Sequence, residues 1–165
     1  MHIRQLTGAD VEIYRELRAY CLRESPHAFT NSYEEFSQRT LDSIVQQFRS
    51  HENFTLGAFE DNQLVGMVGF YRESALKLRH KGYLVSMYAL PEYRSRGIAR
   101  ALLVEAIDRA KRRPDLKQLL LGVVVTQTTA KRLYESLGFT VYGREPEAVK
   151  IGDEYFDEEF MLLKL

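Results

Sequence analysis

The stretch Met87-Tyr88-Ala89-Leu90-Pro91-Glu92-Tyr93-Arg94-Ser95-Arg96-Gly97-Ile98-Ala99-Arg100-Ala101-Leu102-Leu103 passes from strand to turn to helix. Pro91 stops a strand over 83–90, because proline cannot donate to a β ladder. A helix then runs from about Gly97 to Arg112, with Ile98, Leu102, Ala106 and Ala110 along one stripe. Pro114 lies just beyond it. Residues 118–125 (Gln-Leu-Leu-Leu-Gly-Val-Val-Val) form an unbroken apolar run, the mark of a strand buried on both faces. Strand, helix and strand together predict a right-handed parallel crossover.

The start of that helix breaks a local rule. Arg94, Arg96 and Arg100 crowd the positive end of a helix dipole, where cations are disfavoured by a few tenths of a kcal/mol. An anion would reverse the sign, since the free N–H groups of a helix start already point outward. Gly97 and Ala99 have little or no side chain, so a phosphate can approach the backbone. Neither a Gly-Lys-Ser/Thr loop nor a G-x-G-x-x-G turn is present, which weakens a nucleotide reading and favours another pyrophosphate-bearing ligand.

Outward from this segment the chain alternates cleanly. Residues 2–6 read as a strand. Asp10 opens an amphipathic helix with Ile13, Leu17 and Cys21 on its stripe, ended by Ser25-Pro26. Ser32 with Glu35 predicts a capping box, and Thr40 or Asp42 starts a third helical segment ending near Phe48. Strands over 53–60 and 63–72 flank a hairpin turn at Asp61-Asn62. A helix over 128–137 ends at Gly138 as a left-handed cap, and strands over 139–150 and 154–164 turn at Gly152-Asp153. The expected fold class is α/β: one domain over residues 1–165, with a mixed, twisted sheet and helices on both faces.

Composition narrows the function. Lys+Arg and Asp+Glu balance at 23 each, and binders of nucleic acid or membrane surfaces need excess positive charge. No nucleic-acid or membrane partner is expected. The lone Cys21 permits no intrachain disulfide, and His2, His27, His51 and His80 lack metal-ligand spacing, so no metal is expected. The N-terminus lacks the apolar core of a signal peptide, and a cytoplasmic location is the expectation.

Arg94-Ser95-Arg96-Gly97-Ile98-Ala99 resembles the acetyl-coenzyme A signature of the GNAT superfamily, Arg/Gln-x-x-Gly-x-Gly/Ala. Downstream, Ala130-Lys131-Arg132-Leu133-Tyr134-Glu135-Ser136-Leu137-Gly138-Phe139 is similar to the family's second hallmark, at the expected distance. The element order follows the family over nearly the whole chain. The resemblance implies a sheet splayed between its fourth and fifth strands, with pantetheine in the gap against Met87, Tyr88 and Ala89. It implies pyrophosphate on the amides of Arg96, Gly97, Ile98, Ala99 and Arg100, next to Arg94 and Ser95. It implies Tyr134 as the acid that protonates the leaving thiolate, although Ala130, Leu133, Tyr134 and Leu137 also fit an ordinary core stripe. Gln127 stands where many members carry asparagine.

The implied reaction is acetyl transfer from acetyl-coenzyme A to a primary amine, by direct attack in a ternary complex. A small-molecule acceptor is favoured. The alternatives are acetylation of a protein N-terminus or lysine and, from another class, a non-catalytic acyl-coenzyme A sensor. A homodimer is left open. Phe29 and Tyr33 are candidates for shaping the acceptor pocket, in a region that helps line it in the family. The acids Asp153, Glu154, Asp157, Glu158 and Glu159 form either a rim that attracts cationic amines or a plain solvated hairpin. No base emerges: Glu73, His80 and Tyr83 lie at strand ends and read as surface residues.

Overall fold

The computed structural model describes residues 1–165. Seven strands form one mixed sheet in the order β1-β2-β3-β4-β5-β7-β6. They are β1 (His2–Gln5), β2 (Phe54–Glu60), β3 (Gln63–Arg72), β4 (Lys81–Ala89), β5 (Gln118–Val124), β6 (Thr140–Ile151) and β7 (Glu154–Lys164). Only β4 and β5 pair in parallel, and the helix between them is the predicted crossover. The helices are α1 (Val11–Glu24), α2 (Tyr33–Ser37), α3 (Leu41–Phe48), α4 (Ile98–Lys111) and α5 (Thr128–Ser136).

Local chemistry places most boundaries. Asp61 and Asn62 both have positive φ, 47° and 67°, as a two-residue hairpin turn of the primed type requires. Ser32 Oγ accepts from the Glu35 amide at 3.1 Å, while Glu35 accepts from the Ser32 amide at 3.0 Å, closing the capping box. Thr40, not Asp42, caps α3 through the Ser43 amide at 3.2 Å. The α4 stripe is buried throughout, with Ile98 at 2% and Leu102, Ala106 and Ala110 at 0% exposure. It packs closely because β3 offers Gly66, where a β-carbon would lie 3.1 Å from Ile98 and 3.2 Å from Leu102. Arg100 donates to the Ser136 hydroxyl at 2.9 Å and ties α4 to α5 on this face, and α1–α3 cover the other.

Two expectations need correction. Ile13 is exposed; the buried arc of α1 is Tyr14, Leu17, Arg18, Cys21 and Leu22. Asp10 does precede α1, but its carboxylate does not cap that helix. It accepts both guanidinium nitrogens of Arg4, at 2.8 and 2.7 Å, and the Thr7 amide at 2.8 Å. Charged donors outcompete a single helix amide, because each such hydrogen bond is roughly twice as strong as a neutral one.

The Arg4 fork, aided by Thr7 and opposed by burial, lowers the Asp10 pKa to about 2 from 3.8. A depressed carboxyl contributes stability above its unfolded value and loses it as pH falls through the folded one. Asp10→Asn is therefore expected to cost up to about 2 kcal/mol at neutral pH. The gap between the two proteins should close as pH falls from about 4 to about 2. Denaturant titrations across that range check this; a constant gap would refute it.

Candidate active site

β4 and β5 pair only at Lys81–Gln118, Gly82–Leu119 and Tyr83–Leu120. Beyond Tyr83 the two strands separate, although β4 continues to Ala89 and β5 to Val124. The cause lies in β4. Its register against β3 shifts between the Met67 and Gly69 pairs, leaving one extra residue on β4, and Ser86 has φ 55°. A bulge of this kind bends its strand and strengthens its twist, so β4 turns away from β5. A left-handed serine costs of order 1 kcal/mol, and such strain persists where the surroundings impose it. Met87 lies in the bulge with Ser86, and Tyr88 and Ala89 follow it, all on the part of β4 that no longer pairs with β5.

The start of α4 lies at the end of the same strand. Arg94 is extended, while Ser95 and Gly97 are left-handed, at φ 60° and 79°. Gly97 is the N-cap and offers no side chain to the amides behind it. The first helical bond runs from the Ala101 amide to the Gly97 carbonyl, and no backbone carbonyl accepts from the amides of Arg96, Gly97, Ile98, Ala99 or Arg100. A β-carbon at Gly97 would meet no protein atom within 4 Å. Free backbone donors, open space and the positive dipole end give this turn the chemistry that suits an anion.

The arginine side chains are committed differently from one another. Arg94 pairs with Glu24 of α1 at 3.0 Å and donates to the Ala89 carbonyl at 3.2 Å. Tyr88 also donates to Glu24, at 2.9 Å. Burial pushes the Glu24 carboxyl up, but the hydrogen bonds from Ser25, Arg94 and Tyr88 outweigh it and hold its pKa below the ordinary value. This knot fastens the end of α1 to the end of β4. Arg96 lies over the Tyr93 ring, 5.0 Å from its centroid. Gln127 caps α5 only with its carbonyl, which accepts from Lys131 at 3.0 Å; its side chain makes no cap bond.

Tyr134 is in the core, 8% exposed, with its ring edge-on to Phe139 at 6.1 Å. Burial alone raises its pKa to about 12. It is thus a protonated phenol at neutral pH, on the helix that follows β5.

Residues 12–139 match the model of the acetyltransferase (GNAT) family. The chain belongs to the GNAT acetyltransferase family. This GNAT protein is 24% identical over 149 residues to the spermidine N(1)-acetyltransferase of Vibrio cholerae, covering 90% of this chain and 80% of that enzyme. It is 38% identical over 82 residues to the L-methionine sulfoximine/L-methionine sulfone acetyltransferase of Salmonella typhimurium, a match spanning 48% of this chain and about half of that enzyme, 46%. A Salmonella typhimurium structure solved with acetyl-CoA superposes with a TM-score of 0.87 at 24% identity, covering 100% of this chain and 94% of that one.

Two of the five acids in the tail are spent in ion pairs. Asp157 pairs with Arg144 at 2.6 Å and accepts the Glu147 amide at 2.9 Å. Glu159 lies 2.6 Å from Lys131 Nζ, a charge contact in which its buried Oε2 has no aligned hydrogen bond. Glu158 differs. It leans over Gly122 of β5, where any β-carbon would collide with its carboxylate, and burial, then Glu145, raises its pKa. Phe29 sits between Tyr88 at 6.3 Å and the Arg18 guanidinium at 4.7 Å, whereas Tyr33 packs under Arg23 instead. Sequence reading missed Glu24, Ser86 and Arg18. The first two carry no local signal. Arg18 does: it sits between Leu17 and Cys21 on the buried arc.

Proposed function

We propose that this protein transfers the acetyl group of acetyl-coenzyme A to the primary amine of a small molecule. The observation that carries the reading is the pairing of a splayed β4–β5 gap with an adjoining helix start whose amides are free. Those residues fit the donor: Arg96 to Arg100 would hold the pyrophosphate, and Met87, Tyr88 and Ala89 would border the pantetheine. The bound coenzyme supplies an activated thioester.

The residues of the chain then divide the work. The neutral amine attacks the thioester carbonyl; a C–N bond forms, the C–S bond breaks, and the proton the nitrogen sheds passes to solvent, which returns one to Tyr134 after the sulfur departs. Tyr134 donates its phenolic proton, or a hydrogen bond, to the departing sulfur. The Glu24–Tyr88–Arg94 knot fixes the β4 edge along the donor, which keeps the reacting atoms in register. A bounded cavity of about 320 Å³ opens beside the Ser86 bulge, between the sheet and α1, in the size range of small-molecule sites. It favours a small acceptor over a peptide laid in a groove.

Calorimetric titration with acetyl-coenzyme A tests the donor site, and thiol release with a panel of amines tests the transfer. Binding together with amine-dependent thiol release is expected. Binding without release for any amine would favour a sensor, and no binding of any acyl-coenzyme A would overturn the reading.

A further inference from the structure

Arg72 and Arg18 both lie largely out of water, and they are treated in opposite ways. The Arg72 side chain is 6% exposed and meets two carboxylates, Glu52 at 3.3 Å and Asp115 in closer contact. Arg18 is 5% exposed and meets none. Its guanidinium donates to the Cys21 sulfur at 3.5 Å, a weak neutral acceptor, and to the Asn31 Oδ1 at 3.5 Å, the outer limit for oxygen, and lies 4.7 Å from the centre of the Phe29 ring. A buried charge without a counter-charge is costly, and one weak sulfur acceptor with one long bond to an amide oxygen recovers little of the lost hydration.

Arg18 also faces the cavity beside the bulge. The walls of that cavity include Arg18, Arg39, Asn31, Val85 and Ser86. Arg39 donates to Gln47 at 3.0 Å and likewise has no carboxylate partner. One carboxylate borders the space, Glu35, and its Oε2 is held by the Ser32 amide at 3.0 Å in the α2 capping box. The lining therefore carries a surplus of positive charge at one wall and the bulge of β4 at another. An arginine fork matches a carboxylate or phosphonate with two parallel hydrogen bonds.

We propose that Arg18 is the docking point for an oxyanion carried by the acceptor. The substrate class is then an amine that also bears a carboxylate or phosphonate, an amino acid being the simplest. The oxyanion sits on Arg18 with its amine turned toward Ser86 and the splayed gap. This deepens the acetyl-transfer reading and rests on it. It also disfavours a polyamine, because a second cation would face Arg18 and Arg39 in a low-dielectric space.

The test compares matched amines: free amino acids, their amides, aminophosphonates of similar length, and spermidine. Thiol release should give a kcat/KM about tenfold or more higher for the oxyanion-bearing member of each pair, the usual worth of one charged hydrogen bond. The carboxylate and phosphonate arms decide which oxyanion fits. In Arg18→Met that ratio should fall to near one. Arg18→Gln, which keeps hydrogen-bonding capacity, should lose it as well and serves if the methionine variant does not fold. Equal rates for acids and amides in the wild type, a preference for spermidine, or a full ratio in a folded variant would each overturn the proposal. Calorimetric titration of the same compounds into the protein without acetyl-coenzyme A reads the Arg18 site apart from the reaction. No binding of any oxyanion-bearing amine would overturn the Arg18 site and leave the transfer reading standing, whereas failure to bind acetyl-coenzyme A would overturn the transfer reading alone.

Discussion

Tyr134→Phe is expected to lower turnover by about 10²-fold or more, the typical worth of a positioned general acid. The substitution removes one oxygen and keeps the ring that packs edge-on against Phe139. Stability should therefore change little, as should affinity for acetyl-coenzyme A. The loss should appear equally in kcat and kcat/KM, because the proton is needed only as the sulfur departs. Burial adds a second signature. With its pKa pushed up to about 12, Tyr134 stays protonated throughout the range in which the protein can be assayed. The wild-type pH–rate profile should thus show no loss of activity attributable to this phenol near pH ~10, where a free tyrosine would ionise. A phenylalanine variant with near-normal kcat would return Tyr134 to a packing role.

Gly97→Val is expected to weaken acetyl-coenzyme A binding by about 10- to 100-fold, equivalent to one charged hydrogen bond. Two effects combine. The space above Gly97 is empty of protein, with nothing within 4 Å of the place a β-carbon would occupy, so a branched side chain would fill the room left for phosphate. Gly97 is also at φ 79°, where a residue with a β-carbon costs roughly 1–2 kcal/mol. Gly97→Ala separates them, since it carries the backbone strain with far less bulk. Calorimetry on both variants, with thermal unfolding as the control, should show the valine protein folded and the larger loss confined to it. Normal affinity in a folded Gly97→Val protein would move the phosphate site elsewhere.

How legible the site was depended on how far apart its partners lie in the chain. The Arg94–Ala99 segment could be read because its free amides and missing side chains are properties of one turn. Tyr134 could be read only with the family pattern in hand; its spacing alone describes a core stripe, and in the structure it is indeed in the core. Arg94 shows the limit. Its position pointed to phosphate, yet its guanidinium is committed to Glu24, which lies 70 residues away in sequence. Arg18 was legible in principle. A stripe drawn from Tyr14 at i, i+3, i+4, i+7 and i+8 passes through Leu17, Arg18, Cys21 and Leu22, and places a charge inside the apolar arc. Starting the stripe at Ile13 hid it.

The sequence by itself determined the order of strands and helices, the Asp61-Asn62 turn, the Ser32–Glu35 capping box, the buried stripe of α4 and the glycine start that leaves its first amides free. Each of these follows from backbone preferences and hydrogen bonds among residues a few positions apart, which any chain carrying them would satisfy. The tertiary structure alone decided the bulge at Ser86 that parts β4 from β5, the Glu24–Tyr88–Arg94 knot, the fit of Glu158 over Gly122 and the burial of Arg18 beside a cavity. These arise where distant segments meet, and the balance there is set by which charges lose their water together and which are left without a partner.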